Sequence, residues 1–183
     1  RADPKGRATV YDCLPEGERW RRLKAIGRLD YNTEGLLLLT NRGDLKRYLE
    51  LPRNGFVRKY RARIWGHVTQ ERLDSLRHGI SVDDVHYRGI RARLDDPSAE
   101  EAHGSDAAGS VKEYRWVTLE ITEGKNREIR RVMEACGWEV SRLIRIGFGP
   151  FKLDGLRRGE IAFSSEEHVE AMLHKAQSVE TDL

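Results

Sequence analysis

The sequence predicts an α+β fold, with helices alternating with largely antiparallel strands, some of them joined by hairpins. Two stretches of period-two alternation carry the strand half of that expectation. Over residues 57–65, Tyr60, Ala62 and Ile64 fall on one face while Lys59, Arg61 and Arg63 fall on the other. Over residues 113–122, Tyr114, Trp116, Thr118 and Glu120 oppose Arg115, Val117, Leu119 and Ile121. The helix half rests on punctuation: residues 69–79 open on Thr69, a capping residue, and close on Gly79, with Leu73 and Leu76 inward.

The remaining elements follow in order. Residues 19–26 are expected as a strand whose apolar members are Trp20, Leu23 and Ile26. Residues 36–40 form a fully buried strand, or the end of one. Asn41-Arg42-Gly43-Asp44 reads as a turn, and a short helix over 45–51 is stopped by Pro52. Residues 87–94 are a further strand. The stretch 96–110 is small, polar and acidic, which suits a flexible hairpin loop. Asn126 is expected to cap a helix that runs to Cys136 and ends at Gly137. A strand over 139–146, a turn at Gly147-Phe148-Gly149-Pro150, a strand over 159–163 and a helix over 165–176 complete the chain.

At 183 residues the chain is one large domain or two small ones, long enough to bury a core. Charged residues at 34% against 38% apolar suit a soluble, folded protein. No apolar stretch approaches the ~20 residues that span a bilayer. Arg1-Ala2-Asp3-Pro4 has no apolar signal core, so a cytoplasmic location is expected. Cys13 and Cys136 lie far apart and are expected to be reduced thiols.

The net charge of +3 conceals a polarity along the sequence. Residues 1–63 carry 16 Lys and Arg against 8 Asp and Glu, and residues 124–163 carry 9 against 5. Between them, residues 64–123 carry 7 against 12, and residues 164–183 carry 1 against 5. Two basic blocks separated by an acidic one fit a basic cleft with an acidic back, which attracts phosphates through counterion release. An ordinary mixed surface would have the same composition, but the distribution favours a nucleic acid.

Candidate chemistry concentrates in three segments. In Arg28-Leu29-Asp30, a carboxylate held on a turn beside a guanidinium can stay ionised and act as nucleophile or base. An aspartate in a turn also commonly caps backbone, and the spacing alone leaves both readings open. In residues 123–131, Gly124 allows a close turn and Asn126 starts a helix whose free N–H groups favour an anion. Arg127 and Arg131 share a face there, Arg130 sits beside them, and Ile129, Val132 and Met133 cover the inner face. A solvated basic helix face is the equal alternative. In residues 142–147, alternation puts Leu143 with Arg145, opposite Arg142, Ile144 and Ile146, as suits an RNA-facing wall or a structural strand.

Taken in order, these segments carry a resemblance. The pattern Gly27-Arg28-Leu29-Asp30-x-Asn32-Thr33-x-Gly35-Leu36-Leu37 resembles the active-site motif of the bacterial ribosomal-RNA pseudouridine synthases, in particular the large-subunit type. Lys59 with Tyr60, the segment from Glu123 to Arg131, the segment from Val140 to Ile146, and Asp3-Pro4-x-Gly6-Arg7-x-Thr9-Val10 resemble further motifs of that family. The similarity extends in order over nearly all of residues 3–163.

The resemblance implies a mixed, mainly antiparallel sheet flanked by helices, built as two ferredoxin-like halves with a central basic cleft. It makes Asp30 the catalytic aspartate, and Tyr60 the aromatic that stacks on the target base with its hydroxyl placed for proton transfer. Arg130 becomes the partner that pairs with Asp30 and keeps it ionised. Leu143, or its neighbour Ile144, packs beneath the site. Arg28 holds the flipped nucleotide, while Lys125, Asn126, Arg127 and Arg145 contact the RNA.

The implied activity is conversion of a uridine to pseudouridine in 23S ribosomal RNA by a monomer. The implied chemistry needs no metal and no organic cofactor, which agrees with six histidines showing no clustered ligand spacing. Members of the family usually carry a small S4-like RNA-binding domain before the catalytic domain, and residues 1–183 are expected to be the catalytic domain without it. A non-catalytic RNA-binding or ribosome-assembly factor on the same fold, and a synthase acting on small-subunit or transfer RNA, are the alternatives.

Overall fold

A computed structural model of the chain describes residues 5–95, 103–105 and 111–181. A 3-10 turn at Val10–Cys13 precedes α1 (Glu18–Arg21), β1 (Lys24–Ile26), β2 (Glu34–Gly35), β3 (Leu38–Thr40), α2 (Gly43–Glu50) and β4 (Arg58–Gly66). Next come α3 (Gln70–Asp74), which continues as a 3-10 turn, β5 (Ile80–Val82), β6 (Val85–Tyr87) and β7 (Arg91–Leu94). The last part holds β8 (His103–Ser105), β9 (Val111–Ile121), α4 (Glu128–Ala135), β10 (Glu139–Phe148), β11 (Phe151–Lys152) and α5 (Glu166–Thr181). The fold is mixed α+β with mainly antiparallel sheets, as expected. The chain divides into two compact units.

The first unit comprises Arg1–Arg28, Leu37–Asn54 and Gly155–Leu183. Its β1 and β3 pair antiparallel, with Lys24 opposite Thr40 and Ile26 opposite Leu38. Helix α2 packs on both strands and on α5, burying Leu45 and Leu49 at the four-residue spacing of one helix face. The exit of β1 is fixed by α2: Lys46 Nζ donates to the Ala25 carbonyl at 2.8 Å, and Glu50 Oε1 accepts from the Gly27 amide at 2.7 Å. The expected strand over 19–26 is corrected, since residues 18–21 form a helical turn and only Lys24–Ile26 is extended. Trp20, Leu23 and Ile26 recur every three residues, a helical spacing rather than a strand's. The strand expected over 159–163 is also absent. Ile161 and Phe163 are exposed and have no strand partner, and Phe163 instead meets Trp20 at 5.9 Å between ring centroids.

The second unit comprises Leu29–Leu36 and Gly55–Asp154. Its sheet runs β11-β10-β4-β9-β7, with β8 added to β9 and β2 added to β10. Among the described residues only the β2–β10 pairing is parallel. The alternation read in β4 and β9 decides which face is buried. Tyr60, Ala62, Ile64, Val117, Leu119 and Ile121 all lie inward, with at most 8% of their surface exposed. Ile129, Val132 and Met133 of α4 and Leu73 and Leu76 of the α3 segment complete this core. Each such burial contributes roughly 1.5–3 kcal/mol for a large aliphatic side chain.

Thr69 caps α3 as its spacing predicts, its hydroxyl accepting from the Arg72 amide. The strand expected over 87–94 is broken at residues 88–90, where Gly89 passes against the Arg77 carbonyl group with no room for a side chain. Most of the loop expected over 96–110 lies outside the described residues, although His103–Ser105 pairs antiparallel with β9. Asn126 does not cap α4. The helix begins at Glu128, with Arg127 as the preceding residue in the left-handed region at φ 50°.

Candidate active site

The Asp30 turn lies in the second unit and is pinned along its length. The Thr33 amide donates to the Asp30 carbonyl at 2.8 Å. Arg130 Nη2 donates to the Asn32 carbonyl at 2.7 Å. Glu34 takes a two-point ion pair from Arg142, Nε at 2.8 Å and Nη2 at 2.9 Å. At the end of the turn the Leu36 amide donates to the Arg145 carbonyl, and Arg145 Nε donates back to the Leu36 carbonyl, both at 2.8 Å. Six bonds therefore fix the segment through its backbone or flanking side chains, and none of them uses the Asp30 carboxylate. Asp30 itself is half-buried.

Arg130 is tied to this turn rather than to the carboxylate. Its Nη1 donates to the Val140 carbonyl at 2.6 Å while Nη2 holds Asn32. Among the described residues no ion pair joins Arg130 to Asp30, and the expected direct pairing is replaced by a longer-range attraction. Burial, then the like charge of Arg127, draws the Arg130 guanidinium below its ordinary value, and the Asp30 charge pulls it back up. An arginine stays charged under such shifts. Its Nε is buried and makes no hydrogen bond among the described residues, which leaves one donor uncommitted.

Tyr60 and Leu143 are placed by sheet register. Gly35, Arg145 and Tyr60 stand side by side on β2, β10 and β4, and Leu143 stands opposite Ala62. With neighbouring strands about 4.8 Å apart, the row from Gly35 to Tyr60 spans about 10 Å. Tyr60 is 8% exposed and Leu143 4%, both on the helix-covered face. Arg145, expected on an RNA-facing wall, is corrected: it is 1% exposed. Alternation put it with Leu143 on the inner face, where its guanidinium binds the 36 carbonyl and lies 5.4 Å from the Phe148 ring. Its observed part is to hold β2 against β10. Arg28 falls in the first unit and is exposed.

At the start of α4, Asn126 and Arg127 are exposed, but Lys125 is committed. Its Nζ binds Glu123 Oε2 and the His86 carbonyl, both at 2.7 Å. The lysine expected to contact RNA tethers β6 to the loop in this structure, because a buried carboxylate next to it needs a cation. The left-handed Arg127 is stabilised by a cap in which the Lys125 amide donates to Glu128 Oε2 at 2.9 Å. The sequence reading missed Glu123 and Glu128. The signal was present in the three-residue spacing from Lys125 to Glu128, that of a side chain reaching back to cap its own helix.

Glu123 and Glu128 are both buried and face each other. Burial pushes the Glu128 carboxyl up to about 7, and the neighbouring Glu123 charge adds to this against the Lys125 amide bond. At Glu123 burial acts in the same direction, but hydrogen bonds from Lys125 and the Arg88 amide prevail and hold it low. Glu128 Oε1 has no hydrogen-bond donor, so a proton on it would be shared with Glu123.

A carboxyl raised on folding binds its proton more tightly in the folded chain. Stability from this source is therefore complete below the unfolded value near 4.5 and is lost as pH rises through about 7. Glu128→Gln, which mimics the protonated acid, is expected to flatten that dependence and to exceed the parent in stability above pH 7, by up to about 3 kcal/mol. Urea midpoints measured from pH 4 to 8 check this, and parallel curves for the two proteins would refute it.

These positions can be set against known proteins. The sequence profile of the family described as RNA pseudouridylate synthase matches residues 5–135. The chain belongs to that family. The family match takes in Asp30, Tyr60 and Arg130 and stops before Leu143 and Arg145. Ribosomal large subunit pseudouridine synthase B of Haemophilus influenzae is 41% identical over 164 residues, covering 87% of this chain and 41% of that protein. The protein of the same description from Escherichia coli K12 is 40% identical over 162 residues, covering 87% of this chain and 50% of its own length. The chain thus spans about half the length of the curated relatives it matches. A crystal structure of a pseudouridylate synthase superposes with a TM-score of 0.71 at 23% identity, over 90% of this chain and 65% of that one. That likeness establishes the family's fold.

Proposed function

We propose that the chain is the catalytic domain, over residues 1–183, of an enzyme that converts a specific uridine to pseudouridine in 23S ribosomal RNA. The observation that carries this is the Asp30 turn. A half-buried carboxylate is held by bonds that leave it free, with the Arg130 guanidinium anchored to the same turn. A domain that only bound RNA would have no use for an acid so carefully placed among cations, since it repels phosphate. The names of the relatives supply the choice of large-subunit RNA.

In the proposed reaction the N1–C1′ bond breaks, the uracil rotates and C5 joins C1′. The C5 proton leaves and N1 gains one, so atoms and electrons balance without metal, oxidant or organic cofactor. Asp30 is the reacting carboxylate, with the Arg130 guanidinium anchored to the same turn. Tyr60, which the sheet register sets two strands from Gly35, is the aromatic assigned to stack on the base as it turns. Leu143 closes the floor. Asn126 and Arg127 hold the RNA, which must extrude its target base from the stack to reach the acid. Arg145 and Lys125 position these elements rather than touching substrate.

The domain acts as a monomer in the cytoplasm on this reading. Among the described residues no helix is long and apolar enough to cross a membrane. Tritium release from 5-labelled uridine in 23S and 16S ribosomal RNA tests the proposal. Release from 23S RNA is expected. Release from 16S RNA alone would reassign the substrate, and release from neither would overturn the activity.

A further inference from the structure

Tyr31 is 78% exposed, the most solvent-facing large apolar side chain among the described residues. It directly follows Asp30 on a turn whose backbone is fixed on both sides, by Thr33 on the Asp30 carbonyl and by Arg130 on the Asn32 carbonyl. A flat aromatic ring presented to water from a rigid support is the arrangement that single-stranded RNA sites use to stack bases. Rigidity removes most of the ordering cost of the contact. The ring lies outside the buried cluster.

Resting on the activity proposed above, we infer that Tyr31 stacks on the nucleobase next to the extruded uridine. A uridine drawn out to Asp30 leaves its neighbour without a stacking partner. The side chain one residue along the turn is placed to supply the replacement face, as apolar wedges do where other proteins unstack a base step. The contact reads a π-face rather than a hydrogen-bonding edge, so it tolerates any base at that position. Tyr31 acts on binding and on the extruded state, and donates nothing to the bond changes.

Two readouts test this. In the first, Tyr31→Ala and Tyr31→Phe are compared with the parent on 23S ribosomal RNA. Tyr31→Ala is expected to lower kcat/KM by roughly tenfold or more, mainly through KM, with Tyr31→Phe near the parent, because stacking needs the ring and not the hydroxyl. In the second, a short single-stranded RNA carries one uridine with 2-aminopurine beside it. The parent and Tyr31→Phe are expected to quench its fluorescence on binding, and Tyr31→Ala is not.

The melting temperature should not change, because a side chain this exposed contributes little to the fold. Equal kcat/KM and equal quenching for the parent and Tyr31→Ala would overturn the inference while leaving the activity standing. Loss of activity in Tyr31→Phe equal to that in Tyr31→Ala would also overturn it, by assigning the effect to the hydroxyl. A parent that quenches through Tyr31 but releases no tritium would refute the proposed activity and uphold the stack.

Discussion

Asp30→Asn is expected to lower pseudouridine formation by about four orders of magnitude or more, with affinity for 23S ribosomal RNA unchanged or slightly higher. The amide has the size of the carboxylate but is neither a nucleophile nor a base at neutral pH. The structure argues that the loss will be chemical rather than architectural. The turn uses the Asp30 carbonyl, which binds the Thr33 amide, and leaves the side chain uninvolved. Among the described residues no ion pair is broken, since Arg130 is held by the carbonyls of Asn32 and Val140. Removing one negative charge from the proposed RNA-binding site should favour binding slightly. Tritium release with a parallel filter-binding titration separates the two effects. Turnover like the parent's would remove Asp30 from the mechanism. A matching loss of RNA affinity would show that its role is in binding.

The sheet was legible in the sequence wherever side-chain alternation was strict. Lys59-Tyr60-Arg61-Ala62-Arg63-Ile64 could pair in only one sense, because a one-residue slip would put three cations in the core. The same logic placed Leu143 and Arg145 on one face. It gave no warning that an arginine would be fully enclosed, because the partner that makes this possible, the Leu36 carbonyl, is 109 residues away. Strand β2 was hidden for a related reason. Two residues carry no period, and its existence depends on parallel pairing with Ile144 and Arg145.

The candidate site was legible as a set of residues before it was legible as geometry. Asp30, Tyr60 and Arg130 were marked by ordered motifs, and the register brings Tyr60 to the Arg145–Gly35 row. The direct Asp30–Arg130 pairing, however, was an assumption about distance that no motif contains. The tethering bonds of Lys125 were not legible, because a lysine beside a helix start reads as an anion contact until its buried acidic neighbours are known. Glu123 is 8% exposed and Glu128 3%, and burial of that kind is decided by the whole core.

Gly35→Ala is expected to cost at least about 2 kcal/mol of stability and to reduce turnover a hundredfold or more, with the core elements retained. Gly35 has φ +102°, a conformation L side chains rarely adopt. A Cβ there would overlap the Arg145 carbonyl oxygen and come within 2.8 Å of its amide nitrogen. That carbonyl accepts from the Leu36 amide, so the methyl group would force apart the contact that ends the Asp30 turn. Gly155→Ala separates crowding from backbone strain, since Gly155 has φ +75° with nothing within 4 Å of its added Cβ. It should lose roughly 1 kcal/mol and keep its turnover. Urea melts and tritium release on both variants test the difference. If Gly35→Ala kept turnover within about twofold of the parent, close docking of β2 on β10 would not be what holds the acid in place. If only Gly35→Ala fails, the glycine five residues after Asp30 is needed because backbone must touch backbone there, which is how a short turn can hold a charge steady without spending the charge on holding itself.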